Sequence, residues 1–260
     1  MPIVTLTTDF GTSDHFAGVL KGVILSIAPR ATIIDITHDV PPFSIAEGAF
    51  TVSEAYRYFP PKSIHLAVVD PGVGTSRRPI LVEAAGHCFI GPDNGLLALV
   101  YSREKSKVRH ITNARLFLKN PSATFHGRDI FAPAAAHLAR GLAPSKLGPL
   151  IHDYRRPSIE TPVRAGHRVW TGTILKIDRF GNCITNFHIA DFPAVRERPF
   201  VLIPGVVKVT RLVSNYAEAP FGEPCAIVGS SGYLEVAANQ ANAARILGVA
   251  PGAPAELSIY

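Results

Sequence analysis

Cysteine is scarce in this chain of 260 residues: Cys88, Cys183 and Cys225 stand alone, and no two form a CxxC pair. That spacing argues against a zinc cage or a disulfide scaffold and suits reduced core thiols in a cytoplasmic protein. No run reaches the roughly 18 uninterrupted apolar residues that a membrane helix needs. The opening stretch, MPIVTLTTDFG, has neither a charged n-region nor a long apolar segment, so export is not expected either. Charge is thin as well. Asp, Glu, Lys and Arg make up 18% of the residues, the formal net charge is +6, and the densest basic stretch, Arg103 to Arg115, is broken by Glu104, Val108 and Ile111. With no basic run interleaved with aromatics, a mildly basic solvated surface is expected, not a face for nucleic acid or membrane. Also missing are HExxH, a Walker loop, a serine nucleophile elbow and a GxGxxG following a strand. These are the usual signals of zinc proteases, nucleotide triphosphate enzymes, acyl transfer and dinucleotide binding. The scattered His38, His65, His87 and His110 do not assemble a ligand set, so no metal is expected.

What the chain does have is apolar material. Hydrophobic residues make up 47% of it, enough for a real core, and the length allows one large or two modest domains. The first 150 or so residues alternate between β-rich runs and segments with helical spacing. Ile3–Thr7 reads as a strand, Phe16–Ile27 as a helix closed by Pro29, Thr32–Ile36 as a strand and Ile45–Tyr56 as a helix. Ile64–Val69 is almost wholly apolar, as at the buried centre of a parallel sheet. Ile80–Ala84 and His87–Ile90 read as strands turning through Ala85 and Gly86, and Ala132–Arg140 as a helix. This order predicts a layered α/β domain over residues 1–154. A polar stretch with Arg155, Arg156, Pro157, Pro162 and Gly166 reads as a linker, 155–166. Beyond it, over 167–260, come short β-rich pieces: Arg168–Ile177, Cys183–Phe187, Phe200–Ile203, Val206–Leu212, Pro224–Gly229, Leu234–Ala237 and Ala255–Ile259, with a short helix over Asn239–Leu247. Strands this short, separated by Gly, Pro and Asn, suggest a small barrel or sandwich.

In open α/β sheets ligands sit beyond the carboxyl ends of the strands, so polar residues there are the first candidates. The first strand runs into Thr8-Asp9-Phe10-Gly11-Thr12-Ser13-Asp14, which sets two carboxylates around a glycine turn. Ser13 or Asp14 could equally serve as a helix N-cap. The central strand runs into Asp70-Pro71-Gly72-Val73-Gly74-Thr75-Ser76-Arg77, where glycines let the backbone approach a ligand, although a pure turn role fits too. A third patch, Thr124-Phe125-His126-Gly127-Arg128-Asp129, puts a histidine beside a glycine just before a helix; taken alone it is an ordinary loop. In the second half Asp178-Arg179-Phe180-Gly181-Asn182 and Gly229-Ser230-Ser231-Gly232-Tyr233 stand out. The latter offers N–H groups and hydroxyls suited to a carboxylate or phosphate, or is a plain hairpin turn.

Six segments in order, LTTDFGTSDHFAG, VVDPGVGTSR, GPDNGLL, FHGRDIFAP, DRFGNCITN and GSSGYLEVAAN, span essentially the whole chain. Together they resemble the S-adenosylmethionine hydroxide adenosyltransferases, whose relatives include fluorinating and chlorinating enzymes. The resemblance implies an N-terminal α/β domain, a smaller C-terminal β-barrel domain, and a homotrimer with the substrate between the N-terminal domain of one subunit and the C-terminal domain of its neighbour. It implies hydrolysis of S-adenosyl-L-methionine to adenosine and L-methionine, by attack of water or hydroxide on the ribose C5′, without a cofactor. By position, Asp9 matches the carboxylate that grips the ribose hydroxyls, and Phe43 the aromatic near ribose and sulfonium, whose face attracts a cation. Asp14 and Asp178 match groups around the methionine ammonium, and Ser230 and Ser231 the pair holding its carboxylate. Asn182 matches an adenine-binding amide; Asn239 lies in a second adenine segment, and Tyr216 is assigned to adenine stacking. Asp70, Arg77 and His126 match the hydrolase set: Asp70 and His126 orient water and accept its proton, and Arg77 fixes the carboxylate and stabilises developing hydroxide charge. Halogenating relatives have an aromatic residue in place of Asp70, Tyr-Ser or Tyr-Gly in place of His126-Gly127, and an inserted loop that this chain lacks. Water is therefore expected over halide. A non-catalytic adenosine or S-adenosylmethionine binding module would need no such triad, and a metal-dependent hydrolase is the third alternative.

Overall fold

The computed structural model describes residues 1–156 and 161–260, so residues 157–160 of the expected linker lie outside the described residues. The chain divides into two compact units, Met1–Ser158 and Ile159–Tyr260.

In the first unit β1 (Ile3–Thr8) leads into α1 (Phe16–Ile27), β2 (Thr32–Thr37), α2 (Ile45–Ala55), β3 (Ile64–Val68), β4 (Pro79–Ala84) and β5 (His87–Pro92). Then come α3 (Ala98–Arg103), β6 (Ser106–His110) and α4 (Ala132–Ala139). The sheet order is β2-β1-β3-β5-β4-β6. Strands β2, β1, β3 and β5 are parallel, while β4 runs antiparallel to both neighbours. Every residue of β3 is buried, as its apolar run predicts. One face, with Val4, Leu6, Leu66 and Ile90, packs against Leu20 and Ile24 of α1 and the alanines of α4. The other, with Ala67, Val82 and Phe89, packs against Val52 and the α3 region. The result is helices on both faces of one sheet. The β4–β5 hairpin turns at Ala85 (φ 51°) and Gly86 (φ 79°), the paired left-handed conformation that suits the strand twist.

The topology has one consequence for function. From β1 the chain moves to β2 on one side, then crosses to β3 on the other. The carboxyl ends of β1 and β3 therefore flank the switch point, where a crevice opens in such sheets. Asp9 and Asp70 follow those two ends.

The second unit holds β7 (Val163–Arg164), β8 (Val169–Ile177), β9 (Cys183–His188), β10 (Phe200–Pro204), β11 (Leu212–Val213), β12 (Pro224–Val228), β13 (Tyr233–Ala238), α5 (Ala243–Leu247) and β14 (Pro254–Ile259). They form one sheet, β10-β14-β8-β9-β13-β12-β11, with β7 added beside β8. Among the described residues no ladder joins β10 to β11, so the expected small barrel takes the form of a curled half-barrel. The curl originates in β8, whose first half pairs with β14 and whose second half pairs with β9 across a register shift. Gly172 permits it: a Cβ there would meet Asn186 Oδ1 at 2.1 Å, and that oxygen instead accepts a bond from Thr173 N at 2.9 Å. Phe187, Leu202, Leu234, Val236 and Leu257 fill the concave core.

Three expectations are corrected. Val206–Leu212 is not a strand: Val209 bridges Leu202, and only Leu212–Val213 pairs with β12. The C-terminal helix is five residues, because Asn242 caps it by accepting from Arg245 N, and Asn239 lies outside it. Neither Ser13 nor Asp14 caps α1, which starts after His15 with no side-chain cap.

Candidate active site

Asp9 lies in a turn closed by Gly11 (φ 68°), whose N–H donates to His38 O at 2.8 Å. Its Oδ2 accepts from Phe43 N at 2.9 Å. Phe43 has a φ of 67°, a left-handed conformation that costs an aromatic residue about 1–3 kcal/mol, and its side chain is left 70% exposed. The Asp9 bond fixes that strained backbone and holds the ring beside the crevice. Beneath the turn Thr8 Oγ1 bonds His38 Nδ1 at 2.8 Å. His38 Nε2 lies 3.1 Å from Asp35 Oδ1, within ion-pair range but outside hydrogen-bond geometry.

Asp70 and Arg77 are the two ends of one loop. Gly74 (φ 78°) lets that loop press on the Ala123 carbonyl, which a Cβ would meet at 2.3 Å, and so docks it on the loop carrying His126. Asn94 ties the base of the loop by donating to Val69 O at 2.9 Å, which accounts for the GPDNGLL segment structurally. Arg77 Nε donates to both oxygens of Asp70, at 3.0 and 2.8 Å, and Nη2 contacts Oδ2 at 2.5 Å. The side chains are 8% and 4% exposed. The guanidinium also lies 5.2 Å from the centroid of Phe131. Arg77 Nη2 is 2.8 Å from His126 Nδ1, and Arg77 Nη1 is buried with no protein acceptor among the described residues.

The Arg77–His126 contact decides a protonation state. Guanidinium nitrogens only donate and are not deprotonated in proteins, so His126 Nδ1 must accept. The imidazole is then neutral and carries its proton on Nε2. Burial and the charge of Arg77 both push its pKa down, against opposing pulls from Asp70 and Asp129.

His126 is placed by a feature absent from the sequence reading. It precedes one π-turn, Gly127–Phe131, that runs into α4. Pro133 has no N–H to give, and the carbonyl of Asp129 accepts from Leu118 N at 2.9 Å. The Asp129 carboxylate, in turn, takes Ser122 N at 2.7 Å and both forks of Arg128. Asp129 thus anchors the whole 118–125 approach to His126. The one available signal was a proline one turn after an acid in FHGRDIFAP.

Asp9, Phe43, Asp70 and His126 line one cavity of about 280 Å³, with Phe10, Phe16 and Phe125 as an interlocked aromatic wall. Asp14 is exposed and does not line it.

In the second unit a cavity of about 650 Å³ gathers Asp178, Asn182, Tyr216 and Asn239, together with Phe180 of the same patch and with Gln240 and Asn242, which were not singled out as site residues from the sequence. Asp178 Oδ1 accepts from Phe180 N and Asn182 N, and Oδ2 from Asn182 Nδ2, so this carboxylate builds the turn that presents Asn182. Gly181 (φ 92°) makes room for Asn242, whose amide a Cβ would meet at 2.2 Å. Asn239 Nδ2 donates to Ala219 O at 2.8 Å. Ser230 and Ser231 form the β12–β13 turn. Its closing bonds are Gly229 N to Tyr233 O and Gly232 N to Gly229 O, and the N–H groups of both serines have no protein acceptor among the described residues. A larger cleft of about 810 Å³, beside Arg196 and Arg198, touches the turn at Gly229 and is lined by none of the expected site residues. Chemistry follows the titratable cluster, not the volume. Among the described residues no three His, Cys, Asp or Glu side chains group as a metal site would need, and no helix is long and apolar enough to cross a membrane.

The family model of the SAM hydroxide adenosyltransferase N-terminal domain matches residues 4–148, and that of the C-terminal domain matches residues 172–256. The chain is 38% identical to the (R)-S-adenosyl-L-methionine hydrolase of Thermus thermophilus, over 98% of either chain. Identity to a fluorinase of an Actinoplanes species is 29%, over 92% of each. A crystal structure of an uncharacterized conserved protein from Thermotoga maritima superposes with a TM-score of 0.90 at 37% identity, covering 98% of this chain and 99% of that one.

Proposed function

Since the chain belongs to the SAM hydroxide adenosyltransferase family, we propose that it hydrolyses S-adenosyl-L-methionine to adenosine and L-methionine. The hydrolases among its relatives are more similar to it than the fluorinases are, and their name specifies the R configuration at sulfur. We adopt that epimer as the preferred substrate. The observation that carries the proposal is the Asp70–Arg77–His126 cluster at the β1/β3 switch point: Asp70 and His126 line the same cavity as Asp9 and Phe43, and the buried Arg77 side chain bonds both. A halide site wants few polar groups and a dry wall. Here Asp70 and His126 set an acceptor and a donor into an otherwise largely aromatic wall.

The reaction forms a C5′–O bond and breaks the C5′–S bond, whose electron pair neutralises the sulfonium. The leaving group needs no acid; the nucleophile needs help, because water is weak and hydroxide scarce. His126, neutral with its proton on Nε2, donates to the water oxygen and orients it. Asp70, an acceptor, takes the proton as the C5′–O bond forms. Arg77 locks the carboxylate and the imidazole in this arrangement, and its positive charge nearby favours hydroxide character. Such assistance is typically worth about 10²–10⁴-fold, with positioning adding more. This sharpens the roles expected from the sequence: His126 orients, and Asp70 is the proton acceptor.

Asp9 binds the ribose hydroxyls, and the face of Phe43 attracts the sulfonium. Asn182, Asn239 and Tyr216 hold adenine; Ser230 and Ser231 hold the methionine carboxylate. Asp178 supplies negative potential for the ammonium, with Asp14 assigned to the same end. The proposal includes the homotrimer, a cytoplasmic location, and catalysis without cofactor or metal. The test is incubation with each sulfonium epimer in buffer containing chloride or fluoride, with and without exhaustive chelation. Adenosine and methionine are expected in equal amounts, unchanged by chelation. A dominant 5′-halogenated nucleoside, or loss of turnover restored by a divalent ion, would overturn it.

A further inference from the structure

Glu235 is a carboxylate that no role so far accounts for. It lies in β13, 6% exposed, and among the described residues no donor bonds it. A carboxylate this deep without a partner is costly, and its oxygens keep only a narrow edge of solvent. Its place is specific. Glu235 Oε1 occupies the space beside Gly229 where a side chain would sit, and a Cβ on Gly229 would meet that oxygen at 1.7 Å. Gly229 is thus glycine because Glu235 reaches under the Gly229–Gly232 turn. On that turn the Ser230 and Ser231 N–H groups are free to hold a carboxylate.

An α-amino acid carries its ammonium one carbon from its carboxylate. A carboxylate held on the serine turn therefore brings a cation to the immediate neighbourhood of Glu235. Asp178, by contrast, is already committed to three donors of its own turn. We propose that Glu235 is a specificity-determining residue that accepts the ammonium of the methionine moiety, so that the Gly229–Gly232 turn and Glu235 together read the zwitterion. This rests on the hydrolase reading of the site.

The surroundings support a cation there. Burial, and then the charge of Asp178, push Glu235 up to about 7, and Tyr216 is pushed up by burial and then by Glu235 and Asp178. Other titratable groups on the packed elements are the Cys225 thiol of β12, His188 of β9 beside Gly232, and Lys176 of β8, in register with Glu235 across Ile184. Lys176 makes an interaction of its own. A ligand ammonium would give the acidic group the counter-charge it lacks.

The test compares wild type with Glu235→Gln by calorimetric binding of L-methionine, of 4-(methylthio)butanoate (the same ligand without its ammonium) and of adenosine. Methionine affinity should fall about tenfold or more in the variant, while the other two ligands change less than about twofold. Wild-type affinity for methionine should rise between about pH 6 and 8 as Glu235 ionises, and the variant should be flat. A merely structural carboxylate predicts something else: a lower melting temperature and equal losses for all three ligands. We expect the melting temperature to hold or rise, because an unpaired buried carboxylate has gone. If wild type binds methionine and the variant binds it equally well, the inference falls and the hydrolase reading stands. If wild type binds neither methionine nor adenosine, both fall.

Discussion

Arg77→Met keeps a long apolar stem over Phe131 and removes the charge. It strands Asp70, whose side chain is only 4% exposed, without the two-nitrogen partner that now holds it. Removing one member of a buried pair costs about 3–5 kcal/mol, mostly because the remaining charge is left uncompensated. Asp70→Asn strands the guanidinium in the same way and should cost a similar amount. The double variant strands neither charge, so its loss should fall short of the sum of the singles by about 3 kcal/mol. Urea unfolding followed by far-ultraviolet circular dichroism measures all four proteins. Trp170, the only tryptophan, lies in β8, so its fluorescence reports the second unit and serves as an internal reference. Single-variant losses below about 1 kcal/mol, as for exposed pairs, or a strictly additive double, would show that the cluster is not the buried, mutually dependent unit described here. Turnover should also fall at least about 10²-fold in Arg77→Met, since His126 Nδ1 is freed and the tautomer is no longer fixed.

Four further outcomes follow, two from His126 and one each from Asp9 and His65. His126→Gln should lower kcat about 10²-fold with little change in KM. In wild type, burial and Arg77 hold the imidazole pKa below its ordinary value, so stopped-assay pH profiles should show activity lost only on the acid side of about pH 6.5. Asp9→Ala should raise KM far more than it lowers kcat, and a substrate lacking the ribose 2′-hydroxyl should lose less in the variant than in wild type. Burial holds His65 at a pKa of about 3, against an ordinary value of about 6.5, between Thr5, His87 and Phe89. The unfolded chain therefore takes up this proton first as pH falls, and stability drops by roughly 2 kcal/mol between pH 6.5 and 4.5 from this group alone. Urea titrations at both pH values, with His65→Phe as the flattened control, check it.

Much of the scaffold was legible before the structure. The apolar run at Ile64–Val69, the helical spacing of Phe16–Ile27 and the Ala85-Gly86 turn each expressed one local rule, and each element formed where that rule put it. So did the strand-end acids, because the position of Asp9 and Asp70 follows from strand direction alone. What the sequence concealed depends on contacts distant in the chain. β6 was hidden under a charge count over Arg103–Arg115, although only Val108 and Ile111 there needed to face the core. The π-turn before α4 arises from Pro133 and a carbonyl captured by Leu118. The tautomer of His126 depends on a nitrogen of Arg77, 49 residues away. Glu235 is the one acid in the β-rich run Leu234–Ala237, and only its packing under Gly229 gives it meaning.

The most direct test of water as the nucleophile is turnover in ¹⁸O-labelled water, with the adenosine product analysed by mass spectrometry. We expect one heavy oxygen in every adenosine formed, located at the 5′-hydroxyl, and none in methionine. Unlabelled adenosine, or label arriving only after a 5′-halogenated nucleoside has accumulated, would contradict direct attack of water on C5′.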